Sequence, residues 1–330
     1  MSNNYSLSLR IKHYEDVIDE IGFTKSQFHL LIIQGFAIAC DWIEILLLIF
    51  VQKCLLENRK SIQDYRFLIN ISLFSGEIIG TTFLNLLTFG YGRSKCIFIG
   101  RIIALCFGIA TILSYNVHNI IICRFIVGFG IGFSKSPLRA LIAEWFSMKY
   151  RPNITYVHIF LIIGELYYIA SAYFILDLYG WHTLAMIVLL PSILLLFYCY
   201  LYIEESPLWY LCKGENFVAK NLIVAYAIDN EFELNDFLFK SNFNAVYADK
   251  NLNYFSSIKA LPFSKYLWVT CFTTYFARYY CLLLIIKYYT DENTNCGLNY
   301  PELFFSSSVQ LIGLLSSVNM MQTTGRWYTI

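Results

Sequence analysis

Long apolar stretches alternate with short polar ones along most of the chain. Eight apolar runs stand out, at 29–51, 67–88, 96–114, 119–143, 156–176, 182–203, 265–288 and 302–321. Each approaches or reaches the roughly 20 residues that a bilayer-spanning helix requires. Helix is the predicted state, because an open strand leaves its backbone groups unsatisfied in lipid. The two-residue alternation of a membrane barrel is absent. The first run is preceded by Thr24-Lys25-Ser26-Gln27, a spacing that predicts Thr24 as N-cap and Gln27 as its reciprocal partner. The segment 204–264 is the one clear break, separating six spans from two. Its first part, GENFVAKNLIVAYAIDNEF, has helical spacing, whereas SNFNAVYADKNLNYF reads as a loose connection.

Composition sharpens this pattern. Of 330 residues, 58% are hydrophobic and 14% charged, and the mean hydropathy is +0.54. Those values describe an all-α, multi-pass membrane protein with the lipid bilayer as its surroundings. A net charge of +1 with no Lys/Arg block excludes a nucleic-acid partner. The first twenty residues lack an apolar core, so no cleavable signal peptide is expected. Basic residues orient the spans: Arg10, Lys12, Lys25, Arg93, Lys95, Lys149 and Arg151 fall on one side. The facing segments 115–118 and 177–181 carry none, although the first facing loop holds Lys53, Arg59, Lys60 and Arg66. The expectation is a cytoplasmic N-terminus.

Other chemistry is thin. The cysteines show no C-x-x-C pair or Cys/His ligand spacing, so no metal or cofactor is expected, and a Cys54–Cys296 disulfide is disfavoured. The sequons at Asn70 and Asn153 fall in a span and an inner loop and are not expected to carry glycans. Neither H-E-x-x-H nor G-x-S-x-G occurs, so an enzyme is not expected.

The charges inside the spans carry the functional signal, because an ionisable group in hydrocarbon is costly and usually functional. Asp41 and Glu44 lie three apart on the first span and share one helix face. Glu77 lies between Gly76 and Gly80, a G-x-x-x-G close-packing pattern. Glu165 is mid-span in the fifth run. Bases available at depth are Arg101, Arg124, Lys135, Arg139 and Arg278. The set Asp41, Glu44, Glu77, Arg124, Glu165 and Arg278 is the expected substrate or proton site, against the alternative of ion pairs that fix helix register. Arg101, near a span end, is expected to snorkel to the headgroups.

The stretch RFIVGFGIGFSKSPLRALIAEWFSMKYR, residues 124 to 151, adds a resemblance. Its order of Arg, V-G-x-G-I-G, A-E and a later Arg resembles the fourth span of major facilitator transporters. The sugar-porter-like branch fits best, within it the synaptic vesicle 2-related proteins and their organic-ion-transporter relatives. VIDEIGFTKSQFHLL, CDWIEILLL and YGWHTL are similar to that group's entry, acidic first span and turn before the sixth span. The resemblance implies a complete first six-helix half at 29–203 after a cytoplasmic segment 1–28. It further implies a cytoplasmic linker at 204–264 and a partial second half of two spans at 265–330. It also implies a cytoplasmic gate of helix-end charges at Gly92, Arg93, Glu144, Arg151 and Glu205, repeated at Gly325 and Arg326. In glycine terms, Gly128, Gly130 and Gly132 should let a neighbour approach the fourth span or let that span flex.

The departures are specific. Asn85 and Phe89 stand where the family's second-to-third-span loop has Gly and Asp, Leu208 replaces a signature Arg, and Gln322 replaces the second Asp. Twelve spans are the family pattern, so the resemblance implies a C-terminally truncated form. The readings are an incomplete gene model, a decaying paralogue or a short non-transporting form.

The leading expectation is a transmembrane transporter of a small organic solute, an organic ion in particular, coupled to protons and working by alternating access. Asp41 is its proton or cation site, and Glu44 and Glu77 tune it. The alternative is a non-transporting membrane interaction or regulatory protein that associates with another transporter chain. The resemblance places either in the plasma membrane or an intracellular vesicle.

Overall fold

The computed structural model describes residues 18–19, 21–56, 65–114, 116–146, 150–229 and 300–324. The long helices are α1 (Lys25–Leu56), α2 (Arg66–Tyr91), α3 (Arg93–Leu113) and α4 (Val117–Trp145). After a 3₁₀ segment, Arg151–His158, come α5 (Ile159–Val188) and α6 (Leu190–Tyr202). The linker holds α7 (Pro207–Lys213) and α8 (Asn216–Asp229), and α9 is Tyr300–Thr324. Among the described residues there is no strand, and five stretches are long and apolar enough to cross a membrane. The expected seventh span, 265–288, lies outside the described residues.

Local signals explain the helix ends. Thr24 and Gln27 form the reciprocal cap: the Thr24 N–H donates to Gln27 Oε1 (3.2 Å) and the Gln27 N–H to Thr24 Oγ1 (3.3 Å). Gln27 Nε2 also donates to the Trp145 carbonyl (2.8 Å), tying the start of α1 to the end of α4. The fifth and sixth spans part at Gly180, whose φ of 77° suits glycine and not a β-carbon-bearing residue. There the chain doubles back, and the Tyr167 hydroxyl donates to the Ile187 carbonyl (2.8 Å).

Helix α4 is the hub, packing most extensively against α2 and α3. A β-carbon on Gly128 or Gly132 would strike the carbonyls of Leu73 and Glu77, and one on Gly76 or Gly80 those of Phe125 and Phe129. Gly130 turns the other way and meets Gly100 and Ala104 of α3. The three glycines thus serve close approach on two sides. Lipid offers no water-exclusion drive between helices, so such backbone proximity supplies the dispersion contacts that hold the bundle. Helix α1 packs on α5 and α6, burying Ile43, Leu46 and Leu48 against Ile169, Ala172 and Leu184.

The described part of the linker, 204–229, holds two helices, and the stretch read as a loose connection lies outside the described residues. In α7, Ser206 caps by accepting from the Leu208 N–H (3.2 Å), Pro207 opens the helix and Gly214 (φ 83°) closes it. Seven residues are too few for periodicity to show, so only cap chemistry marked this helix in the sequence. Helix α8 docks on the bundle: Tyr226 meets the Trp145 ring edge-on at 4.2 Å and its hydroxyl donates to Glu204.

Candidate functional site

The close packing around α4 brings three of the in-span bases, Lys135, Arg124 and Arg101, each beside an acid. Gly132 seats α4 against Glu77, and Lys135, one turn on, reaches that carboxylate at 2.7 Å. Arg124, one turn before Gly128, is 0% exposed and donates from Nη1 to Glu44 Oε2 at 2.7 Å. Arg101 follows Gly100, where α3 meets α4, and its Nη1 donates to Asp41 Oδ1 at 2.6 Å. Asp41 and Glu44, one turn apart on α1, are therefore held by arginines from two different helices.

This corrects one expectation and refines another. Arg101 does not snorkel: it is 6% exposed and paired inside the bundle. The apolar cost explains the outcome, since each charge at mid-bilayer costs about 2.5–3.5 kcal/mol on insertion scales and a partner at hydrogen-bond distance offsets much of it. Glu77 is held by Lys135 across the α2–α4 seam. Arg139 is exposed, and Arg278 lies outside the described residues.

The paired acids line a small cavity. Cys40, Asp41, Glu44, Arg101, Ile131 and Ser192 are among its walls, and it offers about 10 Å³ to a water centre, room for about one water. Both arginines keep spare donors there or nearby. Nε and Nη2 of Arg101 and of Arg124 are buried without a hydrogen-bond partner among the described residues. Such donors leave the pairs able to shift to another oxygen.

Glu165 stands apart. It is 4% exposed, yet its Oε2 has no hydrogen-bond partner among the described residues. The side chains that adjoin its carboxyl are Trp42, Ser307 and Gln310, all uncharged. Gln310 was readable as one of the few amides well placed in a span, with Gln34 and Asn70, but Ser307 carried no signal: a serine in the run Ser306–Ser308 is unremarkable until α9 is laid on α5.

At the helix ends, the expected gate residues Gly92, Arg93, Glu144, Arg151 and Glu205 lie around the α2–α3 turn and the end of α4. Arg93 Nη2 meets Glu144 Oε1 at 2.5 Å. Glu205 is held by Ser94. Its Oε2 accepts from the Ser94 N–H (3.0 Å) and hydroxyl (2.8 Å), at the N-terminus of α3 where the helix dipole favours an anion. Gly92 (φ 94°) permits this, because a β-carbon there would lie 2.5 Å from Glu205 Oε2. Arg151 donates to the Ala143 and Phe146 carbonyls (3.0 Å each), closing the C-terminus of α4. Gly325 and Arg326 lie outside the described residues.

Comparison with known proteins gives the family and the fold. The family model described as Sugar (and other) transporter matches residues 32–330. Organic cation/carnitine transporter 7 of Arabidopsis thaliana is 24% identical, over 94% of this chain and 71% of its own length. Synaptic vesicle 2-related protein of Bos taurus is 27% identical over 66% of this chain, which spans only 39% of that protein. Among solved structures, the proton:xylose symporter XylE of E. coli, bound to 6-bromo-6-deoxy-D-glucose, superposes with a TM-score of 0.51. That match covers 62% of this chain and 50% of XylE at 17% identity, and it establishes the major facilitator fold alone.

Proposed function

This chain belongs to the sugar (and other) transporter family, and from that membership we propose that it moves a small organic solute across a membrane by alternating access, coupled to protons. The observation that carries the coupling is the pair of acids on one face of α1, each held by an arginine from another helix. An ionised Asp41 binds Arg101 as a buried ion pair; a protonated Asp41 keeps a hydrogen bond but loses the Coulomb attraction. Breaking one side of such a pair costs about 3–5 kcal/mol. Coupling between two states needs only about 1–3 kcal/mol. Proton occupancy at Asp41 is therefore a sufficient lever on how tightly α1 and α3 hold together. Glu44–Arg124 tunes it through the shared cavity wall, and Glu77–Lys135 fixes α2 on α4.

Two relatives support the finer points. XylE is a proton:xylose symporter by its description, which favours proton coupling. The plant relative is named for organic cations and carnitine, which favours an organic ion over a sugar. The reading puts the N-terminus, the linker and the Arg93–Glu144 cluster on the cytoplasmic side. It places the protein in the plasma membrane or a vesicle membrane.

The test is uptake by the full chain in proteoliposomes under an imposed pH gradient, with wild type beside Asp41→Asn. Wild-type uptake should follow the gradient and the variant should lose that dependence. An unchanged pH dependence in the variant would sink the proton role of Asp41. Absence of any flux at all would favour a non-transporting protein that associates with another transporter chain.

A further inference from the structure

One buried acid of the described membrane helices, Glu165, has no base beside it among the described residues. Asp41, Glu44 and Glu77 each meet a base within 2.7 Å. Among the described residues, the side chains beside the Glu165 carboxyl are Trp42 of α1 and Ser307 and Gln310 of α9.

The surroundings of Glu165 form a built seam. Gly164 lies against Ala39, which brings α5 close to α1. On the other side α9 runs antiparallel to α5. Tyr300 stacks edge-on with Tyr173 and its hydroxyl reaches the Ala172 carbonyl (3.5 Å), while Ser307 and Gln310 fall level with Glu165. Ser307 is 0% exposed and donates to the Leu303 carbonyl (2.9 Å), leaving its hydroxyl oxygen as an acceptor.

We propose that this seam between α1, α5 and α9 binds the ammonium group of an organic cation, with Glu165 as counter-charge and Trp42, Ser307 and Gln310 as lining. An ionised carboxylate buried in a bilayer requires compensation. The protein supplies no base among the described residues, so a ligand cation completes the site. The lining selects the kind of cation. One carboxylate, one hydroxyl and one amide oxygen are too few for a hard divalent ion, which takes six or more oxygens. A weakly hydrated ammonium suits an aromatic neighbour together with two or three acceptors. Because α9 lies beyond the linker, movement of α9 relative to α5 would open and close the site. The inference deepens the transporter reading and rests on it for translocation, whereas binding can be measured by itself.

The experiment is equilibrium binding of radiolabelled choline to the full chain in lipid nanodiscs, with 3,3-dimethylbutan-1-ol as its uncharged competitor. Choline should bind, and the uncharged alcohol should not displace it. Glu165→Gln, nearly the same shape, should weaken binding roughly tenfold or more. Glu165→Asp should retain part of the affinity. Ser307→Leu, which fills the seam without touching the charge, is the second variant and should also abolish binding. Wild-type affinity in both Glu165→Gln and Ser307→Leu would overturn the proposal, as would displacement by the alcohol or no choline binding at all. Choline binding at Glu165 without flux would keep this site and reject transport; proton-driven uptake of a neutral solute without choline binding would do the reverse.

Discussion

The seam between α2 and α4 and the seam between α5 and α9 are both helix contacts in a membrane, built from opposite materials. In the first, four glycines bring backbone to backbone and the Glu77–Lys135 pair spans the join. In the second, Tyr300, Leu303 and Ser307 make the contact, while Phe304, Phe305 and Ile312 of α9 remain exposed. Backbone proximity cannot be loosened in small steps, because close-packed interfaces have few intermediate arrangements. A seam of a few side chains can. On that reasoning the first seam is expected to hold its shape and the second to act as a joint, and Glu165 sits in the joint.

The comparison breaks most directly at the glycines. Gly128→Leu should be the most damaging substitution, since its side chain has only the Leu73 carbonyl to occupy. Overpacking of this kind costs about 1–3 kcal/mol when side chains can yield and more when the obstacle is backbone. Loss of a cooperative thermal transition in detergent is the expected reading; a melting point near that of wild type would show that α2 and α4 are not in close contact. The charge pairs come next. Arg124→Ala should cost about 3–5 kcal/mol by leaving Glu44 buried and alone, and adding Glu44→Ala should recover part of that loss. If the double variant is no more stable than the single, Glu44 is not the partner that makes Arg124 matter.

Smaller effects probe the helix ends. Gly92→Ala combines a φ of 94° with a β-carbon pressed on Glu205 and should cost about 1–3 kcal/mol. Glu205→Gln keeps hydrogen-bond acceptors for Ser94 and loses only the charge at the start of α3, about 0.3–1 kcal/mol. Thermal melts of the two variants side by side should rank them in that order; the reverse order would mean that the charge, and not the space left by glycine, organises this turn.

Much of this was legible in the sequence. The first six long helices emerged from apolar run length, and the Thr24–Gln27 cap from its four-residue spacing, because both are local properties. That the glycines of the fourth span admit neighbours was also readable, but not that Gly128 and Gly132 serve one helix and Gly130 another; that depends on helix rotation. Which acid meets which base was not readable for the same reason. Arg101 looked like a span-end residue by position, and only the depth of α3 against α1 sets it beside Asp41. Glu165 could be flagged as a buried acid, but its lack of a base is a statement about three-dimensional neighbours. Its lining from α9 lies about 140 residues away and has no periodic signature.

The finest test of the contrast between the two seams uses a glycine on each. Gly313 of α9 has nothing within 4 Å of where a β-carbon would stand, whereas every glycine between α2 and α4 has backbone there. Gly313→Ala should therefore leave the melting point unchanged or raise it, since alanine favours a helix interior over glycine by up to about 1 kcal/mol. Gly132→Ala, the same chemical change, should lower it because the Glu77 carbonyl occupies the space. Opposite signs from one methyl group would fix the asymmetry to packing rather than to glycine content. Equal losses would mean that α9 is as closely covered as α4, and the seam at Glu165 would then be a permanent contact rather than a joint.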